Sequence, residues 1–370
     1  MFPLYPLAAT DAMTITAEQD FDLDVSPFLG AQLFAAVRTH LATAQPPRRF
    51  WQHPVGVAAI VGVWTYGSLA LLLFVHLAWW AALVSAVSLG LAIACGMLAV
   101  SHDAIHHGLT GMPMLDRAIV FSLGCFGATS AWWTAKHNVL HHGHTNEYGR
   151  DNDLDFAPFA RFSPEQPWKP WHRYQATYLP FLLPFLTLAM VFGDLRFVLS
   201  GKVGTHVVEN RTWRRRITLL AAKVAIPSVL LSVALTTHAW VAVVGYVLVA
   251  YLVSGAVLGI LFSMNHSLDE LSRPRFVAGR EAWVFRQIEG SADIAPSNRL
   301  LTWYSGALNL HVEHHLFPRV ASQRLPEVRL IVRRVCAEHG VAVHEQATVR
   351  AAVLSWRRYL RRMGQPPVTR

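Results

Sequence analysis

Between Arg49 and Asp103 the chain carries no Asp, Glu, Lys or Arg at all. An uncharged run of that length is enough for two helices of about 20 residues each across a hydrocarbon core about 30 Å thick. A second apolar region, 217–266, holds a single charge, Lys223. Each region is interrupted once by polar or aromatic residues, around His76 to Trp80 and Thr236 to Trp240, so each reads as a helical hairpin. Lipid offers no partners for backbone N–H and C=O groups, so such segments must be helical. The pattern predicts an all-α integral membrane protein with four transmembrane helices in two hairpins, near 54–75, 79–100, 217–236 and 241–263.

Composition agrees: 53% of the 370 residues are hydrophobic and 15% charged, against about one quarter charged in soluble domains. The net charge of +9 could suggest nucleic acid, but Arg48, Arg49, Lys202, Arg211, Arg214, Arg215 and Arg216 flank the apolar regions. That placement is the positive-inside bias of a membrane protein, so no nucleic-acid partner is expected. No basic segment, short apolar run and cleavage site stand at the N-terminus, so the first apolar stretch is expected to remain. Cys95, Cys125 and Cys336 have no paired spacing and imply no disulfide framework.

We expect one membrane domain over 1–370: a cytoplasmic segment 1–50, a first hairpin 54–100, a cytoplasmic or interfacial region 101–212, a second hairpin 213–266 and a cytoplasmic region 267–370. Residues 1 to about 25 read as loose and 26–44 as an amphipathic helix ending before Pro46 and Pro47. The stretch 113–135, broken by Gly124 and Gly127, fits an interfacial or re-entrant helix. The stretch 178–199 is apolar but carries Pro180, Pro184, Asp194 and Arg196, and is read as a surface-lying helix. Four crossings then leave both termini and a helical cap on the Lys/Arg-rich, cytoplasmic side of what reads as a bacterial-type inner membrane. Residues 320–363 are basic and helical in pattern, either a cap snorkelling at lipid headgroups or a docking face for an acidic electron-transfer protein.

Ten of the 19 histidines sit in three short windows, HDAIHH at 102–107, HNVLHHGH at 137–144 and HVEHH at 311–315. Neutral imidazole is the commonest metal ligand, and nothing in fold stability asks for such clusters. On a helix, residues at i and i+4 share a face, so His102 with His106, and His137 with His141, can approach one centre. Neighbouring histidines point apart, so His141/His142 and His314/His315 can serve two adjacent ions, and His311 completes the third window. His266, preceded by Asn265 at the end of the last crossing, is either a further ligand or an interfacial histidine. His107 and His144 read as outer groups, and His40, His53, His172, His206, His238, His339 and His344 as isolated ones. Zinc would not need eight imidazoles and copper would want Cys or Met beside them, whereas iron suits an all-nitrogen site that keeps positions open for oxygen. Ligating imidazoles usually donate their second N–H to a carboxylate or carbonyl. Asp103, Asp151, Asp153, Asp155 and Glu313 lie close enough in sequence for this, although the run DNDLD also reads as a capping turn.

These residues resemble the membrane fatty acid desaturase superfamily, whose three histidine boxes follow H-x(3–4)-H, H-x(2–3)-H-H and (H/Q)-x(2)-H-H. WWTAKHNVLHHGHTN followed by GRDNDLD, and NLHVEHHLFPRV, resemble its acyl-lipid and acyl-CoA branch over about 100–335. The resemblance implies a non-haem di-iron centre that uses O2 to remove two hydrogens from a fatty acyl chain. Carried over, the ligands of the two iron ions would be His102, His106, His137, His141, His142, His311, His314 and His315, with His266 corresponding loosely to an extra one; by their place in the sequence, Asp103, Asn265, Asp153 and Glu313 are the candidates to support them. The implied substrate is a fatty acyl lipid, or acyl-CoA or acyl-carrier protein. Branches with a fused cytochrome b5 domain often have Gln where this chain has His311, and the haem motif HPGG is missing. A separate donor, ferredoxin or cytochrome b5 with a reductase, is therefore expected. The same ligands would serve a hydroxylase, an acetylenase or a carotenoid ketolase or hydroxylase, but the HLFPRV and GRDNDLD flanks favour acyl desaturation. A metal transporter would place histidines inside the crossings, and here they cluster at crossing ends.

Overall fold

A computed structural model describes residues 28–45, 47, 49–124, 129–153, 155–204, 206–207, 213–272 and 279–367. The segment read as loose, 1 to about 25, lies outside the described residues. Helix α1 spans Leu29–Thr43, inside the expected 26–44. Pro54 then opens α2, Pro54–Phe74, at a first-turn position where its missing N–H costs nothing. Helix α3, Trp79–Gly96, continues through a wide π-type turn, Met97–Ser101, into α4, His102–Ile105. Along α2 and α3 the polar atoms satisfy one another: Trp64 Nε1 donates to Ser88 Oγ at 2.9 Å and Ser85 Oγ to the Ser68 carbonyl at 3.1 Å.

Helices α5, Pro113–Gly124, and α6, Ser130–Trp133, occupy the stretch expected to be interfacial. Next come α7, Gln175–Leu182, α8, Leu186–Ser200, α9, Trp213–Thr237, and α10, Trp240–Asn265. Helix α10 lies so close to α3 that a Cβ on Gly90 would stand 2.5 Å from the Ala250 carbonyl oxygen. Small residues permit this backbone approach, the usual way apolar helices gain contact without a hydrophobic driving force. The α9–α10 turn meets the α2 terminus, where Thr237 Oγ1 donates to the Leu73 carbonyl and His238 Nε2 to that of Leu72.

Four helical stretches are long and apolar enough to cross a membrane: Pro54–Phe74, Trp79–Ile105, Pro170–Ser200 and Trp240–Asn265. Three match the expected crossings; the third differs, since it contains the 178–199 stretch read as surface-lying. Within α9 the apolar part among the described residues is shorter, Val224–Thr237. The 170–200 stretch is not one rod. Pro184 brings no N–H, and Leu183–Phe185 form a tight 3₁₀ turn that separates α7 from α8. That turn seats on α10, where Cβ atoms on Gly255 and Gly259 would meet Pro184 O at 1.9 Å and Leu183 Cβ at 2.9 Å. The contact lies roughly 10–17 Å along α10 from His266 at 1.5 Å per residue. Both ends of the stretch return to the histidine-bearing loops, through Gln175 bonded to Arg161 and Leu360, and through Gly204 against Asn152. The surface-lying reading of 178–199 follows from the even number of crossings needed between the second and third histidine windows, and it does not foresee a helix broken in its middle and seated on α10.

Helices α11, Arg280–Glu289, α12, Arg299–Tyr304, α13, His311–Leu316, α14, Leu325–Glu338, and α15, Val349–Gly364, complete the fold. Leu29, Leu33, Val284, Ile288, Val312, Val328 and Val332 form one buried core among α1, α11, α13 and α14. A second core joins Phe162, Leu179, Trp356, Tyr359 and Leu360. The basic region 320–363 is thus two helices, parted by a strand, β2 (Glu345–Gln346), that pairs in parallel with β1 (Asp293–Ile294). A two-stranded antiparallel pair at Lys202–Val203 and His206–Val207 follows α8.

Candidate metal centre

The three histidine windows converge. Box one sits at the end of the continuous α3–α4 helix, so His102 and His106 project from a rigid rod. Box two lies in a second wide-turn segment, Thr134–His141, entered after Thr129 Oγ1 caps α6 by accepting from Trp132 N. A π-type turn bonds i to i+5, so the residues four and five places after His137 straddle its face. His141 and His142 therefore diverge. Box three is α13 itself, and His266 stands at the C-terminus of α10.

Eight imidazoles fall into two groups whose candidate ligand atoms lie within 4.8 Å of one another: His102, His106, His137 and His314; and His141, His266, His311 and His315. His142 sits between the groups, its Nε2 3.1 Å from His314 Nε2 and its ring 4.5 Å from that of His315. All nine are buried. His314 and His315 divide between the groups as expected, and His102 and His106 share one. His137 and His141 fall in different four-imidazole groups, yet their rings stack with centroids 5.0 Å apart and together with Asp153 they form a further cluster that could hold a metal ion, in keeping with their expected approach to one centre.

Partners on the outer ring nitrogens settle what these groups can do. Asp153 accepts from His137 Nδ1 at 2.6 Å and Asp151 from His141 Nδ1 at 3.0 Å. The Gly290 carbonyl accepts from His266 Nδ1 at 2.9 Å and Gln287 Oε1 from His315 Nδ1 at 2.7 Å, while His311 Nδ1 lies 3.1 Å from the Leu308 carbonyl and 3.0 Å from the donor Asn265 Nδ2. An acceptor at Nδ1 puts the proton there and leaves Nε2 a bare lone pair. The Nε2 lone pairs of His266 and His315 then face each other at 3.1 Å, with His311 Nε2 2.8 and 3.2 Å away. Converging lone pairs repel unless a cation lies among them, so this donor set fits a bound metal ion. The outer acceptors at His137, His141, His266 and His315 are the arrangement ligating histidines use to hold tautomer and ring orientation.

Electrostatics keep most of the imidazoles neutral. Burial, reinforced by neighbouring histidines, holds His106, His142, His311, His314 and His315 well below the ordinary range, and burial and His141 push His266 down to about 3. At His141 burial also acts downward, but the charges of Asp151 and Asp153 outweigh it and raise the value. Burial would raise Asp153, yet Lys136, His141 and His137 hold it well below the usual carboxylate range. The consequence for stability has a definite sign. Groups depressed on folding resist protonation in the folded chain but not in the unfolded one, so metal-free protein should lose stability as pH falls below about 6.5. A thermal melt of stripped protein at pH 7.5 and 5.5 should show a lower midpoint at 5.5; an unchanged midpoint would count against neutral, buried imidazoles.

Asp151 both orients His141 and accepts from Asn146 N and Asp153 N, so DNDLD serves as a turn and as a pair of orienters together. Asp155 only closes a turn, on Ala157 N. Asp103 accepts from Ser322 N at 3.0 Å, tying box one to the start of the C-terminal region and not to an imidazole. Glu313 is buried beside Asp293; burial and that neighbouring carboxyl raise it well above the ordinary carboxylate range. Asn265 donates to the Leu308 carbonyl, and its Nδ2 lies 3.0 Å from His311 Nδ1. His144 pairs with Glu147 outside the groups, while His40 pairs with Glu327 and His206 with the Gly149 carbonyl. Gln287 escaped sequence reasoning, because nothing in the spacing between α11 and α13 links it to His315.

Apolar helices capped by two buried four-imidazole groups define a membrane protein with a histidine-rich candidate metal centre. Residues 77–347 match the family described as fatty acid desaturase, and the chain belongs to that family. It is 29% identical over 332 residues to the sn-1 linoleoyl-lipid 6-desaturase of Arthrospira platensis, covering 88% of each chain. It is 29% identical over 326 residues to the protein of the same name from Synechocystis sp., covering 83% of this chain and 87% of that one. It is also 29% identical over 296 residues to the acyl-lipid (8-3)-desaturase of Mortierella alpina, covering 78% of this chain and 66% of the relative.

Proposed function

We propose that this fatty acid desaturase is an O2-dependent acyl-lipid desaturase whose two imidazole groups each hold one iron ion, with His142 between them. The carrying observation is the gathering of buried imidazoles whose rings are held by outer acceptors at His137, His141, His266 and His315. Bound iron would supply the oxidising power that O2 alone cannot deliver to an unactivated methylene. In balance, the acyl chain loses two hydrogens to form C=C, while O2 with two electrons and two protons leaves as two waters. The protein's own part is positioning and exclusion of water. Burial of all nine imidazoles keeps bulk water from the reacting carbons, and the outer acceptors hold the rings in register.

The glycerolipid is preferred to acyl-CoA as carrier because the similar proteins are named for lipid-linked substrates. The apolar helices enter the bilayer, both termini and the centre face the cytoplasm of a bacterial-type inner membrane, and a separate ferredoxin or cytochrome b5 with reductase brings the electrons. His311, where branches with a fused donor often have Gln, supports that separate donor. The nine histidines act as ligands, with Asp153, Asp151 and Asn265 supporting them.

The test is the fatty acid profile of an expressing host, by gas chromatography and mass spectrometry with derivatised double bonds, run separately on glycerolipid and acyl-CoA fractions. A new unsaturated species appearing first in glycerolipid is expected. A hydroxylated product, or one arising first in acyl-CoA, would overturn the corresponding part of this reading.

A further inference from the structure

The two groups differ in how firmly the protein holds them. In the group of His141, His266, His311 and His315, Asp151, the Gly290 carbonyl and Gln287 Oε1 accept from the Nδ1 atoms of His141, His266 and His315, and His311 Nδ1 is held between the Leu308 carbonyl and Asn265 Nδ2. In the group of His102, His106, His137 and His314, Asp153 holds His137, but His102 Nδ1 is buried without a hydrogen-bond partner among the described residues. An imidazole without an outer acceptor can adopt either tautomer and turn about its own bond. Ordering it costs free energy when a metal binds, whereas a ring already held has met that cost on folding.

Gln287 is the least expected of these acceptors. It is fully buried on α11, and its Oε1 also accepts from Thr145 Oγ1 at 2.8 Å, four residues after His141. Thr145 Oγ1 lies in turn 2.8 Å from the His141 carbonyl. One amide oxygen therefore joins box two to box three. Its Nε2 has no hydrogen-bond partner among the described residues. A buried amide that leaves its donors unused to present an oxygen to a ring nitrogen pays for that arrangement, and orientation of His315 is the visible return.

We infer that Gln287 is a positioning residue that fixes His315 and makes the His141/His266/His311/His315 group the tighter of two unequal metal positions, filled before the other. The inference rests on the two-ion reading above and concerns binding order, not the reaction.

The probe is Co2+, added without oxygen to metal-stripped full-length protein in detergent and followed by visible absorption and calorimetry. Wild type should bind two equivalents in two steps of unequal affinity. His311→Ala should remove the tighter step and His102→Ala the weaker. Gln287→Leu should weaken only the tighter step, by about 10–100-fold, the range for outer partners of metal ligands. Gln287→Glu, which keeps an acceptor and cannot donate through an amide, should restore it. Two equal steps in wild type, loss of the tighter step in His102→Ala, or equal weakening of both by Gln287→Leu would overturn the inference. If Gln287→Leu fails to give a monodisperse size-exclusion peak, the wild-type and histidine titrations decide it. A single equivalent bound would instead sink the two-ion reading, and an altered product profile would bear on the reaction alone.

Discussion

Replacing His315 by alanine is expected to abolish the unsaturated product and to strip metal in the same preparation. His315 is completely buried, and its Nε2 lies 3.1 Å from that of His266 and 3.2 Å from that of His311. Its removal leaves its group with three imidazoles and leaves Gln287 Oε1 without the ring N–H it accepts. A vacated ring also opens a cavity that water can enter at the one place where water must be kept out. Iron by plasma mass spectrometry and fatty acids by gas chromatography, measured on one membrane preparation, should fall together. Product formed at the wild-type level with full iron would remove His315 from the centre.

The second large effect is structural. Gly306→Val should destabilise the protein by roughly 2–5 kcal/mol, combining overpacking with a left-handed backbone. Gly306 has φ +58°, and a Cβ there would stand 2.4 Å from Ala99 Cα and 2.8 Å from the Leu98 carbonyl oxygen. Both neighbours lie in the wide turn that leads into His102, and two residues after Gly306 the Leu308 carbonyl lies 3.1 Å from His311 Nδ1. Backbone meets backbone, so no rotamer change relieves the clash. Size exclusion and thermal melts in detergent should show a lower yield and midpoint. Gly62→Ala, where nothing lies within 4 Å, is the control expected to behave as wild type. Equal behaviour of the two variants would mean that the 304–308 segment does not press on the α3 terminus.

Much of the site was legible because its chemistry is concentrated in short windows. The i, i+4 spacing of His102 and His106 is satisfied in a helix whatever surrounds it, and His314 and His315 part because neighbours on a helix must. His266 was visible only as a polar residue at a crossing end, and the structure brings it into a group 2.8 Å from His311. His137 and His141 belong to different four-imidazole groups and also meet in a cluster with Asp153, a double placement that the π-type turn permits and that spacing alone does not show. Glu313 and Asp103 were read from proximity alone. Proximity in sequence does not give direction, and both side chains have partners from distant segments, Asp293 and Ser322.

The amino-acid sequence by itself determined that the chain is helical, that its uncharged runs cross or enter a bilayer, and that its histidines gather at the ends of those runs. These follow from local rules, namely the absence of charge, the period of the helix and the ligand chemistry of imidazole. Only the tertiary structure decided which imidazoles meet, that the 170–200 stretch breaks on α10, and that Gln287 reaches His315 across 28 residues of chain. Those outcomes depend on how separate helices pack and which buried polar atoms must find one another, and such pairings leave no periodic trace in the order of residues.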